Sequence, residues 1–186
     1  MISNFTQTRG AVPNLPDAVS VALEAGVTND RAAAMIAASW SLAETFTGRN
    51  FFPVNGAVAI ATMPEGGGEA CWPRAPYPEV LTISFWSGNA WVSAVSAYYM
   101  PEEGLVTDLS TGRYSFTQTV IVNPPAPAAQ VLEAIRALAL YQLIHSPARR
   151  EFRAITAGDS SLTRESLDGL FRASGAGILL AGEVRW

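Results

Sequence analysis

The chain has 186 residues and a formal net charge of −4, and its 12 basic residues are all arginine. This length is sufficient to bury a hydrophobic core without disulfide bonds, and a negative balance argues against phosphate binding as the main function. Only 15% of the residues are charged, compared with about 25% in typical soluble domains. We therefore expect neighbouring subunits to cover part of the surface.

The N-terminal residues are polar and lack the basic and apolar stretches of a secretory signal. No run reaches the roughly 18 apolar residues that cross a bilayer, so no membrane partner is predicted. Cys71 is the single cysteine, which indicates either folding in a reducing compartment or indifference to the redox state. The sequence thus predicts folding in the cytoplasm.

Residues 1–52 are predicted to form an N-terminal arm and a first helical half. Helices are expected over Leu15–Ala25 and Arg31–Thr47, because each is followed by a glycine that ends it, Gly26 and Gly48, the latter in a left-handed conformation. Pro16 stands at the predicted first turn of the first helix. The second helix carries an apolar stripe formed by Ile36, Trp40 and Ala43.

Residues 53–122 are predicted to form an inserted antiparallel β unit, because β-branched and aromatic residues alternate there with small or polar ones. The expected strands are Val54–Met63, Val80–Trp86, Ala90–Tyr99 and Tyr114–Val122. The three glycines at Gly66–Gly68 have neither a following lysine nor a strand-to-helix context. They therefore predict a flexible loop tip and not a phosphate-binding loop.

Residues 123–186 are predicted to form a second helical half and a C-terminal docking tail. A proline-rich break precedes a long helix over Ala128–Ser146, and Thr163 is the expected N-cap of a last helix that ends at Gly175. The tail Ile178–Trp186 is short and apolar. Helices on both sides of the insertion carry complementary stripes, which predicts an α+β fold: a discontinuous bundle of about four helices with the β unit between the second and third.

No residue pattern predicts a catalytic, cofactor or metal site. His145, the only histidine, stands near the C-terminal end of the long helix. A favourable interaction with the helix dipole explains a histidine at this position without a catalytic role. Cys71 lacks a Cys-x-x-Cys partner, and the carboxylate pairs at Glu65/Glu69 and Glu102/Glu103 lie in loop-like sequence. The chain is therefore predicted not to be an enzyme.

Three arginines after the long helix form a short basic stretch: Arg149, Arg150 and Arg153. Phosphate affinity rises with the number of neutralised phosphates, so three arginines alone would bind DNA weakly. The sequence therefore favours surface salt bridges or an acidic partner over DNA for these residues.

Two short motifs carry a family resemblance: Thr47-Gly48-Arg49-Asn50-Phe51 after the second helix, and a last helix that runs through Ser174-Gly175 into Val184-Arg185-Trp186. With the order helices, β insertion, helices, the chain resembles the head-tail connector proteins, also called adaptor or head-completion proteins, of tailed phages and gene transfer agents. The resemblance extends over most of the chain as an arrangement of elements.

The resemblance implies a homo-oligomeric ring, usually dodecameric, that binds the portal protein and a stopper or tail-proximal protein. DNA would pass transiently through its lumen. The protein would be cytoplasmic during assembly and then part of a virion-like particle at the head-tail junction. Neither catalysis nor a cofactor is implied.

Two groups of residues are predicted to serve such a connector. Thr47, Gly48, Arg49 and Phe51 form the helix-to-β junction, where Gly48 stops the helix and Arg49 reaches its last carbonyls. Because the tail is too short for its own core, it is expected to dock on the portal through Leu179, Leu180, Val184, Arg185 and Trp186. Deletion after Gly175 is then expected to abolish portal binding while leaving the fold intact.

A second hypothesis is a β-rich ligand-binding module with helical flanks. The alternating aromatics Trp91, Tyr98 and Tyr99 could line its groove. If the chain is an adaptor, four aromatic residues of the β unit are expected to contact neighbouring subunits or the tail side: Trp72, Tyr77, Trp86 and Trp91. An equally good explanation is that they fill the core of the β unit.

Overall fold

A computed structural model describes residues 2–10, 15–145, 152–155, 162–164 and 167–184. The chain divides into two compact units, and each unit combines two separate segments. The β unit contains residues 1–11 and 48–126, and the helical unit contains residues 12–47 and 127–186. The predicted α+β class is confirmed.

The β unit contains two antiparallel sheets. Five strands pair in the order β1-β2-β8-β4-β5, and three pair in the order β3-β7-β6. The strands are β1 (Ile2–Arg9), β2 (Val54–Met63), β3 (Gly68–Cys71), β4 (Leu81–Trp86), β5 (Trp91–Ser93), β6 (Tyr98–Met100), β7 (Leu105–Leu109) and β8 (Gly112–Gln118). Their buried side chains form one core: Val54, Ala57, Ala59, Ala61, Met63, Ala70, Trp72, Val106, Leu109, Tyr114 and Phe116.

The predicted N-terminal arm is an edge strand, which corrects the sequence analysis. β1 pairs with β2, and Phe5 lies opposite Ala59. Only Ile2 and Phe5 of this strand pack against the core. Backbone hydrogen bonds to the neighbouring strand stabilise an edge strand, so it needs few apolar residues. The polar sequence of β1 therefore gave no sign of a strand.

The predicted strand Ala90–Tyr99 is two strands in different sheets. β5 pairs with β4 and β6 pairs with β7, and the chain turns between them, where the Ala94 amide donates to the Ile83 carbonyl (3.0 Å). The predicted glycine loop tip leads directly into β3. Gly67 has φ = 76°, and a side chain there would overlap the carbonyl oxygen of Leu109. Glycine thus permits a close approach of two backbones.

The phenol group of Tyr99 in β6 is hydrogen-bonded and has a raised pKa. Its hydroxyl donates to the Pro78 carbonyl (2.7 Å), and burial, with a smaller contribution from the neighbouring Tyr77, raises its pKa to about 12. Because the folded state holds this proton more tightly than the unfolded chain, its contribution to stability is complete below about pH 10, the ordinary tyrosine pKa. That contribution is lost as the pH rises towards 12.

We therefore expect the ultraviolet titration of the folded protein to show one tyrosine ionising near pH 12, and Tyr99→Phe to remove this transition. Tyr98→Phe, at the exposed neighbouring position, is the control and should retain it. A titration that Tyr99→Phe leaves unchanged would contradict the assignment.

The helical unit contains five helices and a hairpin within its described residues. They are α1 (Ala18–Ala25), α2 (Asn29–Thr47), α3 (Ala129–Ile144), β9 (Phe152–Ile155), β10 (Leu162–Arg164), α4 (Leu167–Ser174) and α5 (Ala176–Leu180), followed by a 3₁₀ turn over Ala181–Glu183. α3 contacts α1, α2, α4 and α5. None of the described helices has the length and apolar character needed to span a membrane.

Two predicted helix starts are wrong. α1 begins after Pro16, because the Asp17 carboxylate accepts hydrogen bonds from the amides of Val19 and Ser20 (both 3.2 Å) and caps the helix there. Thr163 is not an N-cap, because it lies in β10 opposite Ala154 of β9.

Polar contacts also join the helices of this unit. The Gln142 side-chain amide of α3 donates to the Ser39 hydroxyl of α2 (3.0 Å), and Arg136 of α3 forms an ion pair with Glu24 of α1. Trp40 is fully buried, and its indole N–H donates to the Leu15 carbonyl (2.7 Å). Residues before and after the β insertion therefore build one helical unit.

Candidate docking site

An apolar groove of about 820 Å³ lies in the helical unit, and we call it the C-terminal groove. It is formed by the end of α2, by α4 and α5, and by the residues after them. Its lining residues are Thr45, Phe46, Asp168, Phe171, Arg172, Gly177, Ile178, Ala181 and Val184.

Helical periodicity explains how α5 contributes to this groove. Ala176 and Leu180 are four residues apart, lie on one face of the helix and are fully buried. Ile178 stands between them, and its side chain is 86% exposed. Thus α5 holds itself in the unit with one face and presents a large apolar side chain with the other.

An aromatic stack holds α4 and α2 together beside the groove. The rings of Phe46 and Phe171 are 4.1 Å apart at their centroids with an angle of 15°, and Phe171 is buried. Asp168 and Arg172, in the first and last turns of α4, bring opposite charges to the groove. An acidic residue in the first turn and a basic residue in the last turn both interact favourably with the helix dipole.

The structure separates the predicted docking residues. Leu180 is in the buried interior, so it is not available on the surface, and its burial leads us to expect that deletion after Gly175 disturbs the fold. Leu179 is partly exposed, and Val184 lines the groove. Arg185 and Trp186 lie outside the described residues. The spacing of Ala176 and Leu180 was the available signal that Ile178, and not Leu180, faces outward.

The predicted helix-to-β junction coincides with the boundary between the two units. α2 ends at Thr47, whose hydroxyl donates to the Ala43 carbonyl (2.8 Å). Gly48 follows with φ = 66°, and its carbonyl accepts a hydrogen bond from the Ala75 amide (3.2 Å). Arg49 forms a β-bridge with Ala75, and Phe51 is buried. Contact between Arg49 and the last helical carbonyls stays a prediction.

Gly48→Ala is expected to destabilise the protein by about 1 kcal/mol, because a left-handed backbone disfavours a side chain by roughly that amount. Urea unfolding would measure the change. Gly182→Ala is the matched control, since a side chain there meets no neighbouring atom and the backbone has no positive φ. Equal stability of the two variants would contradict this role of Gly48.

The remaining candidate residues have separate locations. Arg149 and Arg150 lie outside the described residues, and Arg153 lies in β9, with its side chain outside the described part. His145 is the C-cap of α3, and its ring centroid is 4.3 Å from that of Tyr141. Cys71 is exposed in β3. Within the described ranges, no group of three or more His, Cys, Asp or Glu side chains could hold a metal ion.

The aromatic residues of the β unit fall into separate contacts. Trp72 is buried in the core and meets Phe5 edge-on at 5.6 Å. Trp91 in β5 packs on Trp86 at 5.2 Å, and the Arg113 guanidinium lies 5.8 Å from its ring centroid. Because β5 and β6 belong to different sheets, Trp91 does not share one sheet with Tyr98 and Tyr99.

Glu44 is a fully buried acidic residue of α2 that the sequence analysis did not single out. A carboxylate in such a position is retained only with polar partners. Its burial could have been predicted from helical spacing, because Glu44 follows Trp40 by four residues and Ile36 by eight. This spacing places the three residues on one helix face. Glu44 therefore belongs to the buried face of α2.

The two-unit α+β fold is shared with chains of solved particle structures. One chain of a structure described as the neck of an empty gene transfer agent particle, computed with C6 symmetry, aligns with a TM-score of 0.54 and 12% identity over 92% of this chain and 94% of that chain. A chain of the virion of a native gene transfer agent particle aligns with a TM-score of 0.50 and 14% identity over 91% of this chain and 93% of that chain. No protein-family model and no curated protein sequence matches the chain.

The predicted resemblance is thus confirmed at the level of the fold, which this chain shares with chains of gene transfer agent particles. It extends over almost the whole length of both chains, so it includes both the β unit and the helical unit. The identity is low, and what the likeness establishes is this common architecture.

Proposed function

We propose that the protein is a structural adaptor that forms a ring between the portal and the stopper or tail of a phage-like particle, with DNA passing through its lumen. The observation that carries this proposal is the shared fold with a chain of a gene transfer agent neck, over more than nine tenths of both chains. A common architecture of this extent supports a common structural role.

Two further features support a ring. The neck structure was computed with C6 symmetry, which fits repeated copies around an axis. Head-to-tail contacts that close a ring require two different surfaces on each subunit. The low charged fraction of this chain leaves extensive uncharged surface for such contacts.

The portal is the proposed partner of the C-terminal tail. Leu179, Val184, Arg185 and Trp186 remain the proposed docking residues, and Leu180 supports them from the core. Arg149, Arg150 and Arg153 remain candidates for contact with an acidic partner or with DNA. The adaptor acts by assembly, without a cofactor.

Purification of particles from the native host, followed by electron microscopy of the neck, tests the proposal. The expected result is a symmetric collar of this chain between portal and tail. Intact tailed particles that lack the chain would contradict it, and a copy of the protein outside the neck would contradict the adaptor position.

A further inference from the structure

Two tryptophans and an arginine form an exposed surface at one end of the five-stranded sheet. Trp86 of β4 lies opposite Trp91 of the edge strand β5, and their ring centroids are 5.2 Å apart. Trp91 is 40% exposed, and the Arg113 guanidinium lies beside its ring. Among the described residues, neither indole N–H donates a hydrogen bond and Arg113 forms no ion pair. We call these three residues the tryptophan surface, and it combines apolar rings with unused donors.

A proline-rich stretch follows the last strand of this sheet, and we call residues 123–127 the proline segment. Its sequence is Asn-Pro-Pro-Ala-Pro, and Pro125 is exposed. Proline fixes φ near about −65°, and the residue before a proline is restricted to extended conformations. Ala128, the next residue, has φ = −65° and ψ = 156°, which is close to polyproline II values. These restraints give the proline segment polyproline II geometry, in which the backbone makes no internal hydrogen bonds.

The chemistry of the two surfaces is complementary. Aromatic surfaces bind polyproline II segments, whose preformed backbone loses little conformational entropy on binding. The indole N–H groups of Trp86 and Trp91 and the guanidinium of Arg113 are donors for the backbone carbonyls of such a segment. Neither side brings another charge, since residues 80–101 and 114–132 contain no charged residue. A contact between them therefore avoids the cost of burying further charges.

The two surfaces lie at opposite ends of the sheet within one chain. Val122 exchanges backbone hydrogen bonds with Val54 at the start of β2 (both 3.2 Å), whereas Thr62, near the other end of β2, lies opposite Arg113. The eight residue steps from Val54 to Thr62 span roughly 25 Å. Pro125 stands three residues beyond Val122, so their Cα atoms lie within roughly 11 Å of each other. A proline segment on the tryptophan surface therefore has to come from another copy of the chain.

We propose that the proline segment of one copy docks on the tryptophan surface of the next copy. Because the two surfaces differ and lie at opposite ends of the sheet, each copy offers one and receives the other. The contact is therefore head-to-tail, the kind that closes into a ring. The inference names a contact between copies of the proposed adaptor, and in this respect it rests on the proposed function.

Sedimentation velocity with two complementary variants of the full chain tests this contact. Trp91→Ala removes the receiving surface and keeps the proline segment, and the double variant Pro124→Ala, Pro125→Ala does the reverse. Each variant alone is expected to self-associate more weakly than the natural protein by about tenfold or more, as for anchor residues of interfaces. An equimolar mixture is expected to form heterodimers, because one intact contact remains between the two variants.

Two controls and one spectroscopic measurement complete the test. Leu23→Ala in the helical unit and Pro101→Ala outside the proline segment remove exposed side chains and should associate like the natural protein. The indole NMR signals of Trp86 and Trp91 are expected to shift as the concentration of the natural protein rises. Constant indole signals, or a mixture of the two variants that stays monomeric, would overturn the proposal.

This outcome is separate from that of the particle experiment. A collar of this chain in purified particles, without complementation between the variants, would reject the proposed contact and retain the adaptor. Complementation by a chain that is absent from the neck would retain the contact between copies and reject the adaptor position.

Discussion

Deletion of all residues after Gly175 is expected to unfold the helical unit. The deleted segment contains Ala176 and Leu180, which are fully buried, and α5 packs against α3. Truncation of one buried leucine to alanine alone costs about 2–5 kcal/mol, and a whole domain is stable by only about 5–15 kcal/mol. Loss of the entire helix therefore removes a large part of that stability.

Circular dichroism during thermal unfolding measures this effect. Deletion after Val184 is the matched control, because it removes Arg185 and Trp186 and retains the buried face of α5. We expect the control to remain folded, with a cooperative transition. If deletion after Gly175 gives the same transition as the full chain, the placement of α5 in the core is wrong.

Trp186→Ala is expected to weaken binding to the portal by about 30-fold or more. Tryptophan is enriched among the interface residues whose truncation costs at least about 2 kcal/mol, and 1.4 kcal/mol corresponds to a factor of about ten in affinity. The variant keeps every described contact of the helical unit, so the change reports on docking. Binding kinetics with purified portal protein measure it.

Leu23→Ala is the control for portal binding, since it removes an exposed apolar side chain from α1. Unchanged affinity of Trp186→Ala would exclude this residue from the portal interface. Equal losses for both variants would indicate nonspecific hydrophobic adhesion.

Long periodic elements were predictable from the sequence because many residues repeat one pattern. β2 has the predicted bounds Val54–Met63, and α2 ends at Thr47 as predicted. Fully buried Ile36 and Trp40 confirm the orientation of the apolar stripe of α2. In these elements, local pattern and tertiary packing favour the same structure.

Short elements were missed because long-range contacts define them. β3 begins at Gly68, and β7 follows Gly104, so glycines that indicate loops stand where strands begin. The pairing of β3 with β7 depends on the close approach of the Gly67 backbone to Leu109, which no local sequence pattern predicts.

The residues of the C-terminal groove were also predictable only in part, because long-range contacts decide which side chains are buried. Val184 lines the groove, and its contact with the portal stays a prediction. The five residues of α5 complete little more than one turn, so the spacing of Ala176 and Leu180 was the one local signal of its buried face, and the sequence analysis did not use it.

The split composition of the helical unit has a consequence for synthesis on the ribosome. Residues 12–47 emerge first, but their helical partners begin only at residue 127, after the whole stretch 48–126 has been translated. At about 5–20 residues per second, α1 and α2 wait several seconds for α3, and longer for α5. Nascent chains therefore expose the apolar stripe of α2 until α3 has been translated.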